Sequence, residues 1–246
     1  MERLFEGKIA LVTGAGSAIG RAVAYSYAAN GAFVIVSDIV GNETVNKIKA
    51  NGGRAVFIKS NVSKAEECKK LVEKIISIYG RIDIAFNNGE IVNNARNLID
   101  TFLAGIRQLI APKTNSVFHC MKHEIEAMRQ RRGGVIINLS SLADSILFTS
   151  PDICFYDKQG VSGIQNEIRK NSDKAIHINC VGPGFLNTVL PHSLNLTSKQ
   201  EISLKNKKEG TKKPEQIADL VMWLSSEKAT ASTIDCFPEY VDHLLN

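Results

Sequence analysis

The chain predicts an α/β fold in which one doubly wound parallel sheet carries helices on both faces. Three observations lead there. Six short apolar runs rich in β-branched residues recur at 8–13, 32–37, 54–58, 82–86, 135–139 and 175–181, with stretches of helical period between them. The runs are almost continuously hydrophobic, as strands buried on both faces should be. With 246 residues, 44% of them hydrophobic, the chain can bury one large core. No repeat or low-complexity linker interrupts the alternation, so residues 1–246 read as a single domain.

The first run ends in Thr13-Gly14-Ala15-Gly16-Ser17-Ala18-Ile19-Gly20 and passes into a helix with Ala22, Val23 and Ala28 on its apolar side. Small residues let a backbone approach a pyrophosphate, and the helix N-terminus supplies positive character without a side chain. Strand, glycine turn and helix in that order point to a Rossmann-type sheet, with Gly14, Ser17, Ile19 and Gly20 as candidate cofactor contacts. The second run leads to Asp38, eighteen positions after Gly20, where a carboxylate can accept hydrogen bonds from ribose hydroxyls. A 2′-phosphate would meet negative charge there. Ser37, Ile39, Ala15, Gly16 and Ser17 offer no compensating arginine, so NAD(H) is expected and NADP(H) disfavoured.

After the third run, Ser63 and Glu66 have the spacing of a capping box. Ala65, Cys68, Leu71, Val72, Ile75, Ile76 and Tyr79 then form one helical face, and Gly80 stops the helix. That places Cys68 in the core. The fourth run precedes Asn87-Asn88-Gly89-Glu90, the fifth carries Asn138-Leu139-Ser140-Ser141, and the sixth precedes Pro183-Gly184 and Thr188. A last helix starts near Pro214, suited to a first-turn position, and buries Ile217, Leu220, Val221 and Leu224.

These motifs resemble the short-chain dehydrogenase/reductase family from about residue 5 to 229. Thr13 to Gly20 is similar to its T-G-x-x-x-G-x-G turn, with Ala18 for the middle glycine. Asn61-Val62 stands where the family contacts adenine, Asn87 begins its N-N-A-G motif, and Ser141 takes the position of its catalytic serine. Pro183, Gly184 and Thr188 match the loop that holds the nicotinamide amide. The resemblance implies hydride transfer between NAD(H) and a carbonyl or alcohol carbon of a small molecule. In that chemistry a serine orients the substrate oxygen, a tyrosine moves the proton, and a lysine lowers the tyrosine pKa and binds the ribose. It also implies a homo-oligomer, a dimer or tetramer, paired through helix surfaces around 118–128 and 160–168.

The catalytic pattern departs from the family at three places. Lys158 aligns with the family lysine, which puts Cys154 at the tyrosine position, and a thiol lies several ångströms short of a phenol oxygen. Tyr156 is two residues along and faces away on a regular helix. Lys113 stands for the asparagine of the central helix, where Pro112 is expected to disturb the preceding turn. Glu90 puts bulk and charge where the family has glycine. Three readings follow: an NAD-dependent oxidoreductase with an altered acid, a catalytically silent NAD-binding or regulatory protein, or a Cys154 thiolate stabilised by Lys158, set against an inert buried cysteine.

Composition narrows the rest. The net charge is +5, and the densest lysines (Lys199, Lys205, Lys207, Lys208, Lys212, Lys213) are not interleaved with aromatic residues, so they read as a solvated face and not a nucleic-acid patch. Five scattered cysteines without a C-x-x-C pair indicate neither disulfides nor zinc. His119 and His123, with only Glu124 nearby, make no metal pattern. No apolar run suits a signal peptide or a membrane span, which makes a cytoplasmic location the expectation. Residues 189–210, which would cover the substrate, are polar and give no substrate identity.

Overall fold

The computed structural model describes residues 3–89, 103–131, 133–140, 175–182, 213–227 and 235–236, with single positions 163, 168 and 229. In chain order the elements are β1 (Ile9–Thr13), α1 (Ala18–Ala29), β2 (Phe33–Asp38), α2 (Asn42–Ala50), β3 (Arg54–Lys59), α3 (Ala65–Tyr79), β4 (Ile84–Asn87), α4 (Leu103–Gln130), β5 (Gly134–Leu139), β6 (Ile176–Val181), α5 (Pro214–Ser225) and β7 (Asp235–Cys236). The sheet has the order β3-β2-β1-β4-β5-β6-β7, and every pairing is parallel. Winding reverses between β1 and β4, which opens a crevice at the carboxyl ends of those strands.

Side-chain alternation divides the core into two layers. Ala10, Val12, Val34, Val36 and Phe86 pack under α1, α2 and α5, while Leu11, Ile35, Ala85 and Ile136 pack under α3 and α4. Burial on both faces explains why the strands read as unbroken apolar runs. The helices α1 and α5 are joined in the core by the Tyr27 hydroxyl, 2.6 Å from Ser225 Oγ.

Six strands and the helices at 18–29, 65–79 and 214–225 fall where the sequence places them, within two residues at each predicted strand end. The cap of α3 does not. Lys64 is its N-cap, Ser63 Oγ instead donates to Asn61 Oδ1 (2.7 Å), and Glu67, not Glu66, reaches back to accept from Asn61 N (2.7 Å). Ala65 is consequently exposed, whereas Cys68, Leu71, Val72 and Ile75 are buried and Gly80 closes the helix at φ 74°. Helix α4 also runs unbroken through Pro112. The turn before Pro112 is not disturbed as its sequence predicts, because a long helix anchored by tertiary packing absorbs the local proline cost of about 3 kcal/mol.

Candidate functional site

The glycine turn after β1 is built so that backbone faces the crevice. Gly14 has φ 62°, and a Cβ there would stand 2.6 Å from Asn88 Nδ2 and 2.8 Å from Gly89 Cα. Added Cβ atoms at Gly16 and Gly20 would collide with the Val40 and Gly14 carbonyl oxygens. Side chains occupy the carbonyls of the turn. Gly14 O accepts from Ser17 Oγ (2.8 Å) and Asn88 Nδ2 (2.9 Å), Ala15 O from Thr44 Oγ1 (2.9 Å) and Gly16 O from Arg21 Nη2 (3.1 Å). Ser17 is the N-cap of α1, its Oγ accepting from Gly20 N, and Ala18 and Ile19 of the first turn line the crevice. First-turn amides have no partner within their own helix, so this end suits an anion.

The crevice has a volume of about 570 Å³ and runs from the glycine turn past the ends of β2 and β3 to the start of Ser116 on α4. Asp38 stands at its rim: one carboxylate oxygen accepts from Gly16 N (2.9 Å), the other from Ile39 N (2.6 Å). Ile39 and Val40, 50% and 74% exposed, line the crevice beside Asp38, as do Asn61 and Val62. Ser37 and Ile39, which flank Asp38, and Ala15, Gly16 and Ser17 of the glycine turn include no arginine. The structure brings one in, because Arg21, one turn into α1, reaches back to Gly16 O and pairs with Glu43 of α2 (3.1 Å).

At the end of β4 the two asparagines divide their work. Asn88 N and Gly89 N donate to Thr13 Oγ1 (3.1 and 3.2 Å), and Asn88 Nδ2 also reaches Ser17 Oγ (2.9 Å), so Asn88 ties β4 to the turn. Asn87, named from sequence as a cofactor contact, points away: its Nδ2 donates to Glu124 Oε2 (2.9 Å) and to Asn138 Oδ1 (3.0 Å) beneath the crevice. Alternation along β4 is the signal that separates the pair, since adjacent strand residues face opposite sides. Glu124 is fully buried there, and that burial raises its carboxyl to about 7. It therefore faces the core and not His119 or His123. Among the described residues no cluster of three metal-ligating side chains occurs, and no helix is long and apolar enough to cross a membrane.

The profile of the short chain dehydrogenase family matches residues 8–199. The chain belongs to that family. Cyclohexanol dehydrogenase of Acinetobacter sp. (strain SE19) is 33% identical over 237 residues, 95% of this chain and 93% of that protein. The 3-oxoacyl-[acyl-carrier-protein] reductase of Synechocystis sp. (strain ATCC 27184 / PCC 6803 / Kazusa) is 31% identical, covering 91% of each chain. Among solved structures, a 7α-hydroxysteroid dehydrogenase in complex with NADH and 7-oxo glycochenodeoxycholic acid superposes with a TM-score of 0.81 at 26% identity, over 94% of this chain and 92% of that one.

In this member of the family the crevice thus gathers Gly14, Ser17, Ile19, Asp38, Asn61 and Val62 of the residues singled out by sequence, with Gly20 just behind the turn. Ser141, Cys154, Tyr156, Lys158, Pro183, Gly184, Thr188 and Glu90 lie outside the described residues, as does the side chain of Lys113. Ser140, immediately before Ser141, is buried at the end of β5, where its N–H donates to Val181 O (2.8 Å).

Proposed function

We propose that the crevice binds NAD(H) and that the chain is an oxidoreductase moving hydride between that cofactor and a carbonyl or alcohol carbon of a small molecule. The observation that carries this reading is the Asp38 carboxylate, held by Gly16 N at the rim of a turn with no room for a Cβ. The cradle fits a pyrophosphate, and the carboxylate beside it fits ribose hydroxyls better than a 2′-phosphate. When bound, the nicotinamide supplies or accepts the hydride. Asn61 and Val62 would flank the adenine, Pro183, Gly184 and Thr188 the carboxamide, and Lys158 the nicotinamide ribose, while Ser141 would orient the substrate oxygen. Relatives named for cyclohexanol, 3-oxoacyl and steroid substrates support a ketone or secondary alcohol as the substrate class. By the same family resemblance the chain would act as a homo-oligomer, a dimer or tetramer, and its scattered cysteines fit the cytoplasm.

Cys154 and Lys113, at the tyrosine and asparagine positions, favour a second reading, an NAD-binding protein without turnover. Deuteride transfer from labelled NADH into a panel of ketones separates the two. Transfer by the wild-type chain supports the oxidoreductase, with an acid other than a tyrosine at position 154. Transfer only after Cys154→Tyr with Lys113→Asn establishes the silent protein on an intact scaffold, and label in neither, with NADH still bound, rejects turnover on this scaffold.

A further inference from the structure

Arg21 is the only cation among the described residues that line the crevice. It is the fourth residue of α1, where the positive end of the helix dipole disfavours a guanidinium, so its position depends on partners. Glu43 provides them with both oxygens, taking Nη1 at 3.2 Å and Nη2 at 3.1 Å, while Nη2 also donates to Gly16 O. Glu43 is itself set in place by the next residue, since buried Thr44 donates to Ala15 O across the same turn. Gly16 is thereby bracketed: its N–H is held by Asp38 and its carbonyl by Arg21, which puts carboxylate and guanidinium within one residue of each other.

We propose that Glu43 is a second cofactor-specificity residue, which keeps the crevice selective for NAD(H) by holding Arg21 against Gly16 and away from any 2′-phosphate at Asp38. The inference rests on the reading that the crevice binds a nicotinamide dinucleotide. Charge-assisted bonds to phosphate are strong, so a released Arg21 would offset part of the repulsion from Asp38. Loss of Glu43 should then move selectivity, while the Asp38 bond to Gly16 N and the Thr44 bond to Ala15 O stay in place.

The test is the ratio of NADPH to NADH dissociation constants, by calorimetry, for the wild-type chain, Glu43→Gln and Glu43→Gln with Arg21→Ala. Glu43→Ala serves as a second variant, and the 75% exposure of the Glu43 side chain leaves folding little affected. The expected result is a ratio lowered about tenfold in both single variants and restored in the double variant. A ratio that does not move, or that stays low without Arg21, overturns the inference while wild-type NADH selectivity upholds the cofactor reading. Binding of neither dinucleotide by the wild-type chain overturns both.

Discussion

On the inner side of α4 the carboxyl of Glu124 has no exposure to solvent, and its Oε1 and the neighbouring Asn87 Oδ1 are buried without hydrogen-bond partners among the described residues. Both acceptors lack a donor, and a proton on the carboxyl would supply one, in keeping with its rise to about 7. The sign follows from that direction. The folded state holds the proton more tightly than the unfolded chain, so this contribution to stability is complete below the ordinary value of 4.5 and is lost as pH rises through about 7. Between pH 5 and pH 8 the wild-type chain should lose about 2 kcal/mol more than Glu124→Gln, read by urea unfolding at the two pH values. Equal losses would show that the carboxyl is ionised in the fold. At the glycine turn, Gly14→Ala forces a left-handed backbone that costs about 1–2 kcal/mol and presses Cβ onto Gly89. Thermal melting should fall by a few degrees, and dinucleotide affinity by more than about tenfold. These positions differ in how well sequence reveals them. Gly14 and Asp38 announce their roles through local spacing, whereas Arg21 and Glu43 are 22 positions apart and meet only after α2 folds beside α1. The facing of Asn87 towards Glu124 is likewise a tertiary fact.

Among the elements, the join between α1 and α5 offers the most direct test of packing. Ser225 Oγ donates to Val221 O (2.6 Å), which leaves the Tyr27 hydroxyl as the donor in the buried bond between the two helices. Tyr27→Phe should therefore cost about 1 kcal/mol, since Ser225 retains its second partner and the ring keeps its edge contact with Phe5. A loss of 3 kcal/mol or more in urea, well above the ordinary value of one hydrogen bond, would mean that the hydroxyl anchors more than this pair. Strands and amphipathic helices were readable because apolar periodicity is local. The start of α3 was not, because Glu66 and Glu67 both satisfy an acidic spacing and only the fold of residues 61–64 selects Glu67. β7 has two residues, Asp235 and Cys236, too few for any period to register, and its pairing with β6 supplies the order instead.

Across the whole molecule, the reversal of winding between β1 and β4 explains why the crevice lies where it does. Both strand ends shape the crevice through backbone and short side chains, with Thr13, Asn88 and Ser17 fastening one to the other. Nothing in the composition of the chain reveals that fastening, although the order of strand, glycine turn and helix predicts the face on which it occurs. This face is proposed to hold NAD(H) in preference to NADP(H). Calorimetric titration of the wild-type chain with each cofactor, with energy transfer from the single tryptophan, Trp223, as an independent readout, tests it most directly. Saturable NADH binding is expected, with NADPH weaker by about tenfold or more. No heat at millimolar NADH, or equal affinity for the two cofactors, would contradict it.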